Sequence, residues 1–155
     1  MTGRRFLAAL ALLAACGPAD PCDTAYFRRV ARTSQPYAGD WVVARGDTLT
    51  LPDGMGDRFK LAGFRLDTAK VAVGQACRFR GTMTFAVPAE TLAVTWFGEP
   101  EHLYVFGWPA ELGPFAGIGA AWRGGDSLHG AILFDEQLGV RMAPGVTAEF
   151  VAARR

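Results

Sequence analysis

Residues 77–85 alternate with a period of two. Cys77, Phe79, Met83 and Phe85 fall on one side, and Arg78, Arg80, Thr82 and Thr84 on the other. Such alternation marks a half-buried antiparallel strand. Thr48-Leu49-Thr50-Leu51 and Arg58-Phe59-Lys60-Leu61 repeat it. Further strands are predicted near 40–45, 63–74, 90–97, 102–108, 117–123, 127–134, 138–142 and 146–152. Turn-forming residues separate them, as in Gly46-Asp47, Pro52-Asp53-Gly54, Gly98-Glu99-Pro100, Gly124-Gly125-Asp126 and Pro144-Gly145. Regular short strands with this punctuation predict an all-β fold, an antiparallel meander forming either a small barrel or a sandwich. One segment has a different period. Between Pro21 and about Thr33, Tyr26, Phe27, Val30 and Ala31 recur at helical spacing, with Arg28, Arg29 and Arg32 mostly elsewhere. Asp20 and Pro21 suit the N-cap and first position of that short helix.

The first fifteen residues follow another logic. Arg4 and Arg5 precede an apolar run from Phe6 to Ala15, the layout of a secretory signal. The run is shorter than the roughly 20 residues a spanning helix needs. It ends in Leu13-Ala14-Ala15-Cys16-Gly17, which resembles the bacterial lipobox. That resemblance implies cleavage before Cys16, a diacylglycerol on its thiol and acylation of the new amino group. Several acyl chains then hold the protein on a membrane, each buried CH2 contributing about 0.8 kcal/mol. No Asp follows Cys16, which in enterobacteria-like sorting favours the outer membrane. The expected organisation is a signal peptide over 1–15, a lipidated tether over 16–21 and a single β-rich domain over 22–155.

Composition sharpens this picture. Cleavage would remove two of the sixteen basic residues and none of the fifteen acidic ones, leaving a nearly neutral chain. No basic block remains for nucleic acid, so no such partner is expected. With Cys16 lipidated, Cys22 and Cys77 are left as a pair. In an exported protein a pair suggests a disulfide, with two free buried thiols as the alternative. The bond would close a loop of about 55 residues and contribute roughly 4 kcal/mol.

The candidate chemistry is sparse. Trp96, Tyr104, Phe106, Trp108, Phe115 and Trp122 crowd one stretch, around an apolar loop at 109–115. They read either as an ordinary aromatic core or as the mouth of an apolar pocket. A pocket predicts a central cavity walled by Trp96, Tyr104, Phe106 and Trp108. A docking module predicts a filled centre and an exposed apolar patch. The short helix followed by Gly39-Asp40-Trp41 and a run of strands resembles the lipocalin entrance, which implies a barrel that binds apolar ligands.

Gly125-Asp126-Ser127-Leu128 resembles the opening motif of the GDSL hydrolases and would assign Ser127 as nucleophile beside His129. No Asp-x-x-His follows it, and a glycine turn entering a strand explains the same residues. Arg45-Gly46-Asp47 reads as a turn in the same way. Gly117-Ile118-Gly119 lacks the strand–helix–strand unit of a dinucleotide loop. Asp53-Gly54-Met55-Gly56-Asp57 lacks the ligand series of a calcium loop. Neither a cofactor nor a metal site is expected. The chain is read as a non-catalytic envelope lipoprotein that binds an apolar small molecule or another envelope component, with a serine hydrolase as the rival.

Overall fold

The computed structural model describes residues 20–50, 58–107, 115–122, 126–135 and 146–155, and for 115–122, 133–135 and 146–147 it describes the backbone. The helical segment divides in two. A 3-10 turn, Pro21–Asp23, is capped by Asp20, whose carboxylate accepts from the Cys22 N–H at 2.8 Å. Helix α1, Ala25–Ser34, then restarts under a second cap, because the Thr24 hydroxyl accepts from the Phe27 N–H at 3.0 Å. The predicted single helix is interrupted because Asp20 and Thr24 each satisfy orphan N–H groups of the turn that follows. Phe27 and Val30 face inward as expected. Tyr26 does not. It is 64% exposed, with the Arg29 guanidinium 5.6 Å from its ring centroid.

Nine strands follow among the described residues. They are β1 (Gly39–Gly46), β2 (Leu49–Thr50), β3 (Arg58–Val73), β4 (Ala76–Val87), β5 (Glu90–Gly98), β6 (His102–Gly107), β7 (Phe115–Trp122), β8 (Ser127–Asp135) and β9 (Val146–Arg154). From β3 to β9 each strand pairs antiparallel with the next. Strand β1 pairs with β9 along one side and with the middle of β3 along the other. The sheet therefore curls round and meets itself at β1, which decides for a barrel over a sandwich. The two-residue β2 pairs with the start of β3. The predicted alternating segments at 58–61 and 63–74 are one long strand. The strand expected at 138–142 lies outside the described residues.

Inward-facing side chains fill the described interior. Trp41 packs on Phe64 with centroids 6.2 Å apart, Phe64 meets Phe150 edge-on at 6.0 Å, and Phe59 meets Phe85 edge-on at 6.0 Å. Offset and edge-on pairs are the arrangements aromatic quadrupoles favour. Met83, Leu103, Leu128 and Ala152 are fully buried among them.

The helix closes the base of the barrel through Gly98. Ser34 Oγ accepts from the Gly98 N–H at 2.7 Å, and Thr33 Oγ1 donates to the Gly98 carbonyl at 2.6 Å. Tyr37 donates to the Glu99 carbonyl at 3.0 Å. A Cβ at residue 98 would overlap the Tyr37 ring, so this close approach requires glycine. Trp41 Nε1 donates to the Tyr37 carbonyl at 2.8 Å. Beside Tyr37, Arg154 donates to the Pro36 carbonyl, and its guanidinium lies 4.9 Å from the Trp41 ring centroid.

Candidate functional site

Strands β4, β5 and β6 sort the aromatic stretch onto two faces. Directly opposed residues share a face, and Trp96 pairs with Phe79 on one side and Val105 on the other. All three point inward. Trp96 Nε1 donates to the Arg80 carbonyl at 2.8 Å and the Asp67 carbonyl at 3.0 Å, and its ring packs 5.2 Å from Phe79. Phe97 pairs with Tyr104, and Thr95 with Phe106, on the outward face. Phe97 stacks on Tyr104 at 5.0 Å and on Phe106 at 5.8 Å, while His102 lies 6.3 Å from Tyr104. Trp96 therefore does not share a wall with Tyr104 and Phe106. The central cavity expected from these residues is replaced, in the described part, by packed core. Trp108 lies outside the described residues. Phe115 and Trp122 stand at the two ends of β7.

The outward face carries a groove that depends on the β3–β4 hairpin. Leu66 pairs with Gly81 and Lys70 with Phe79. Asp67, Thr68 and Ala69 thus oppose Arg80 alone, a bulge that bends the strand. Beyond it the hairpin tip brings Val71 and Val73 beside the outer face of β5 and β6. The resulting groove has a volume of about 540 Å³ and is lined by Val71, Val73, Arg78, Arg80, Ala93 and Phe106, with other residues of the same strands. That volume falls within the range of small-molecule sites. The Arg78 guanidinium lies 4.2 Å from the Phe106 ring centroid, and its Nη1 reaches Thr95 Oγ1 at 3.4 Å. No carboxylate is among the described lining residues. Among the described residues neither Arg78 nor Arg80 makes an ion pair.

Cys22 and Cys77 form the disulfide, with Cα atoms 4.9 Å apart. It ties the segment before α1 to the hairpin that walls the groove, one residue from Arg78. Lys70 Nζ adds a second tie, lying 5.6 Å from the Phe27 ring centroid. Cys16 lies outside the described residues, as does the acidic turn at 53–57.

Ser127 and His129 point outward from β8, and Leu128 between them is fully buried. His129 is exposed, and no hydrogen bond joins it to Ser127 among the described residues. Asp126 instead forms an ion pair with Arg154 at 3.8 Å. Gly46 ends β1, and the Asp47 N–H donates to the Glu149 carbonyl at 2.9 Å, so Arg45-Gly46-Asp47 is bound into the barrel wall. Residues 117–122 lie within a strand. Among the described residues no group of three or more His, Cys, Asp or Glu side chains is arranged to hold a metal ion, and no helix is long and apolar enough to cross a membrane.

Sequence reasoning missed the groove-lining Val71, Val73, Arg78, Arg80 and Ala93. Ala69, Val71, Ala72 and Val73 were the available signal, because a solvated hairpin tip rarely carries so apolar a run. The chain matches no family model, no curated protein and no solved structure in the comparisons made.

Proposed function

We propose that this chain is a lipid-anchored cell-envelope protein whose barrel is a non-catalytic binding module. Its ligand is an apolar small molecule with an anionic end, held in the groove on the outer face of β4–β6. The observation that carries the reading is the pairing of an apolar trough with Arg78 and Arg80, with no carboxylate among the described lining residues. Arginine in a partly dry site favours a planar anion such as a carboxylate or phosphate. The lipobox supports the envelope location, and an exported chain accounts for a disulfide. The missing Asp after Cys16 favours the outer membrane. The closed meander entered from a short helix, with Trp41 buried at its base, supports a lipocalin-like reading of the scaffold.

An envelope protein is the competing occupant of the same groove. Packed core in the described interior favours either surface occupant over a ligand enclosed in the barrel. Titration of the full chain with decanoate, decanol and decyltrimethylammonium separates them. Decanoate should bind best, and Arg78→Gln should remove its advantage over decanol. If none of the three binds, the small-molecule reading fails. For the anchor, Cys16→Ser should leave precursor that takes up no labelled acyl chain. Continued acylation of that variant would refute the assignment.

A further inference from the structure

We infer that the groove is loaded from the bilayer that anchors the chain, and that its occupant is an anionic phospholipid. One acyl chain lies along Val71, Val73, Ala93 and Phe106, and the phosphate sits against Arg78 and Arg80. The inference rests on the groove and lipid-anchor readings above and adds the source and class of the ligand.

Chain length and one covalent bond carry the argument. Six residue steps separate Cys16 from Cys22, a reach of about 20 Å at full extension. The disulfide then holds the Cys22 and Cys77 Cα atoms 4.9 Å apart, and Arg78 is the next residue. The Arg78 Cα thus stays within about 30 Å of the Cys16 Cα, a distance comparable to the thickness of the hydrocarbon core of one bilayer. Without the disulfide, that limit would apply only to the start of the helix.

The residues around this point suit a membrane surface. Tyr26 is 64% exposed on α1 and Val73 is 40% exposed at the hairpin tip. Arg29, Arg32 and Lys70 are exposed on the same two elements. An exposed tyrosine among cations is typical of the headgroup region. The anchor's own diacylglycerol could reach the groove but offers no anion to the arginines. An anionic phospholipid supplies both an acyl chain and a phosphate.

The test uses processed, full-length lipoprotein in mild detergent. It is offered phosphatidylglycerol or phosphatidylcholine in mixed micelles and read by native mass spectrometry. One phosphatidylglycerol should be retained per chain, with about tenfold preference over phosphatidylcholine, whose choline cation the two arginines repel. The Arg78→Gln/Arg80→Gln variant should lose the preference. Ala93→Trp, at an exposed position, should fill the trough and abolish retention of both lipids. Thermal melts confirm that each variant is folded.

Equal retention of the two lipids, retention unchanged by Ala93→Trp, or a dimer mass in place of a lipid adduct would each overturn the inference. Decanoate binding without phospholipid retention would overturn it and leave the groove reading standing. Failure of both would remove the two together.

Discussion

Strands β4 to β6 carry two aromatic faces, held in different ways. Inside, Trp96 is gripped by two carbonyls and by Phe79, and neighbouring strands of the barrel surround it. Outside, Phe97, Tyr104 and Phe106 are half-buried rings stacked side by side, topped by one arginine. The same period-two alternation produced both. Barrel closure fixes the inner face, so its side chains serve stability. Among the described residues the outer face is walled by a disulfide-tethered hairpin, and its partial exposure leaves apolar surface and cations accessible.

The sharpest way to break this comparison is Trp96→Ala. Removing a buried tryptophan costs about 3–5 kcal/mol, and losing the two Nε1 hydrogen bonds places this site near the top of that range. Guanidinium unfolding measures it. A loss below 2 kcal/mol would mean that the inner face is not the structural one.

Next in size is the Cys22→Ser/Cys77→Ser pair. The sequence separation of 55 predicts a loss of roughly 4 kcal/mol in the chain-entropy model. The comparison adds a selective effect. Hydrogen exchange should rise most at 70–79, the overhanging part of the hairpin, while β8 and β9 stay protected. Uniform loss of protection would show that the disulfide holds the whole barrel rather than the groove wall.

Phe106→Ala should have a smaller effect on stability. Its ring loses stacking on Phe97 and one cation–π contact, worth about 1–2 kcal/mol together. Ligand binding should fall about tenfold, as expected for a central aromatic anchor. A stability loss equal to that of Trp96→Ala, with binding intact, would reverse the roles of the two faces.

How much of this could be read from sequence follows from the range of each interaction. Alternation at Phe79, Met83 and Phe85 identified β4 and its inward side, because a strand's faces are set locally. The disulfide was also legible as the favoured alternative to two free thiols, since setting Cys16 aside as an expected lipidation site leaves Cys22 and Cys77 as a pair. The direction of the β6 aromatics was not. Tyr104 and Phe106 form a good period-two stripe, but only pairing with Phe97 and Thr95 shows that the stripe faces out. The groove was harder still. It needs the bulge at Asp67–Ala69, which exists only in the register between β3 and β4. The break between Asp23 and Ala25 was half legible, since Asp20 and Thr24 are both good caps and only one can start a continuous helix. Closure through β1 joins residues near 41 to residues near 154, beyond the reach of any local pattern.

The smallest expected effect concerns pH and belongs to the inner, base-side packing. Burial raises the Tyr37 hydroxyl pKa above its ordinary value of 10.0, and the nearby negative charge of Glu101 and the Tyr104 side chain raise it further. The folded chain therefore keeps this proton to higher pH than the unfolded chain does. The associated stability is fully present below about pH 10. It is lost as pH rises from there through the folded value, because the unfolded state ionises first. Tyr37→Phe should cost about 1 kcal/mol at pH 8, the worth of the hydrogen bond to the Glu99 carbonyl. It should also flatten the fall in stability between pH 8 and 11. Urea unfolding of both proteins at those two pH values measures the difference. Parallel losses would mean that Tyr37 ionises as freely in the folded barrel as outside it, and that the helix does not seal the base against water.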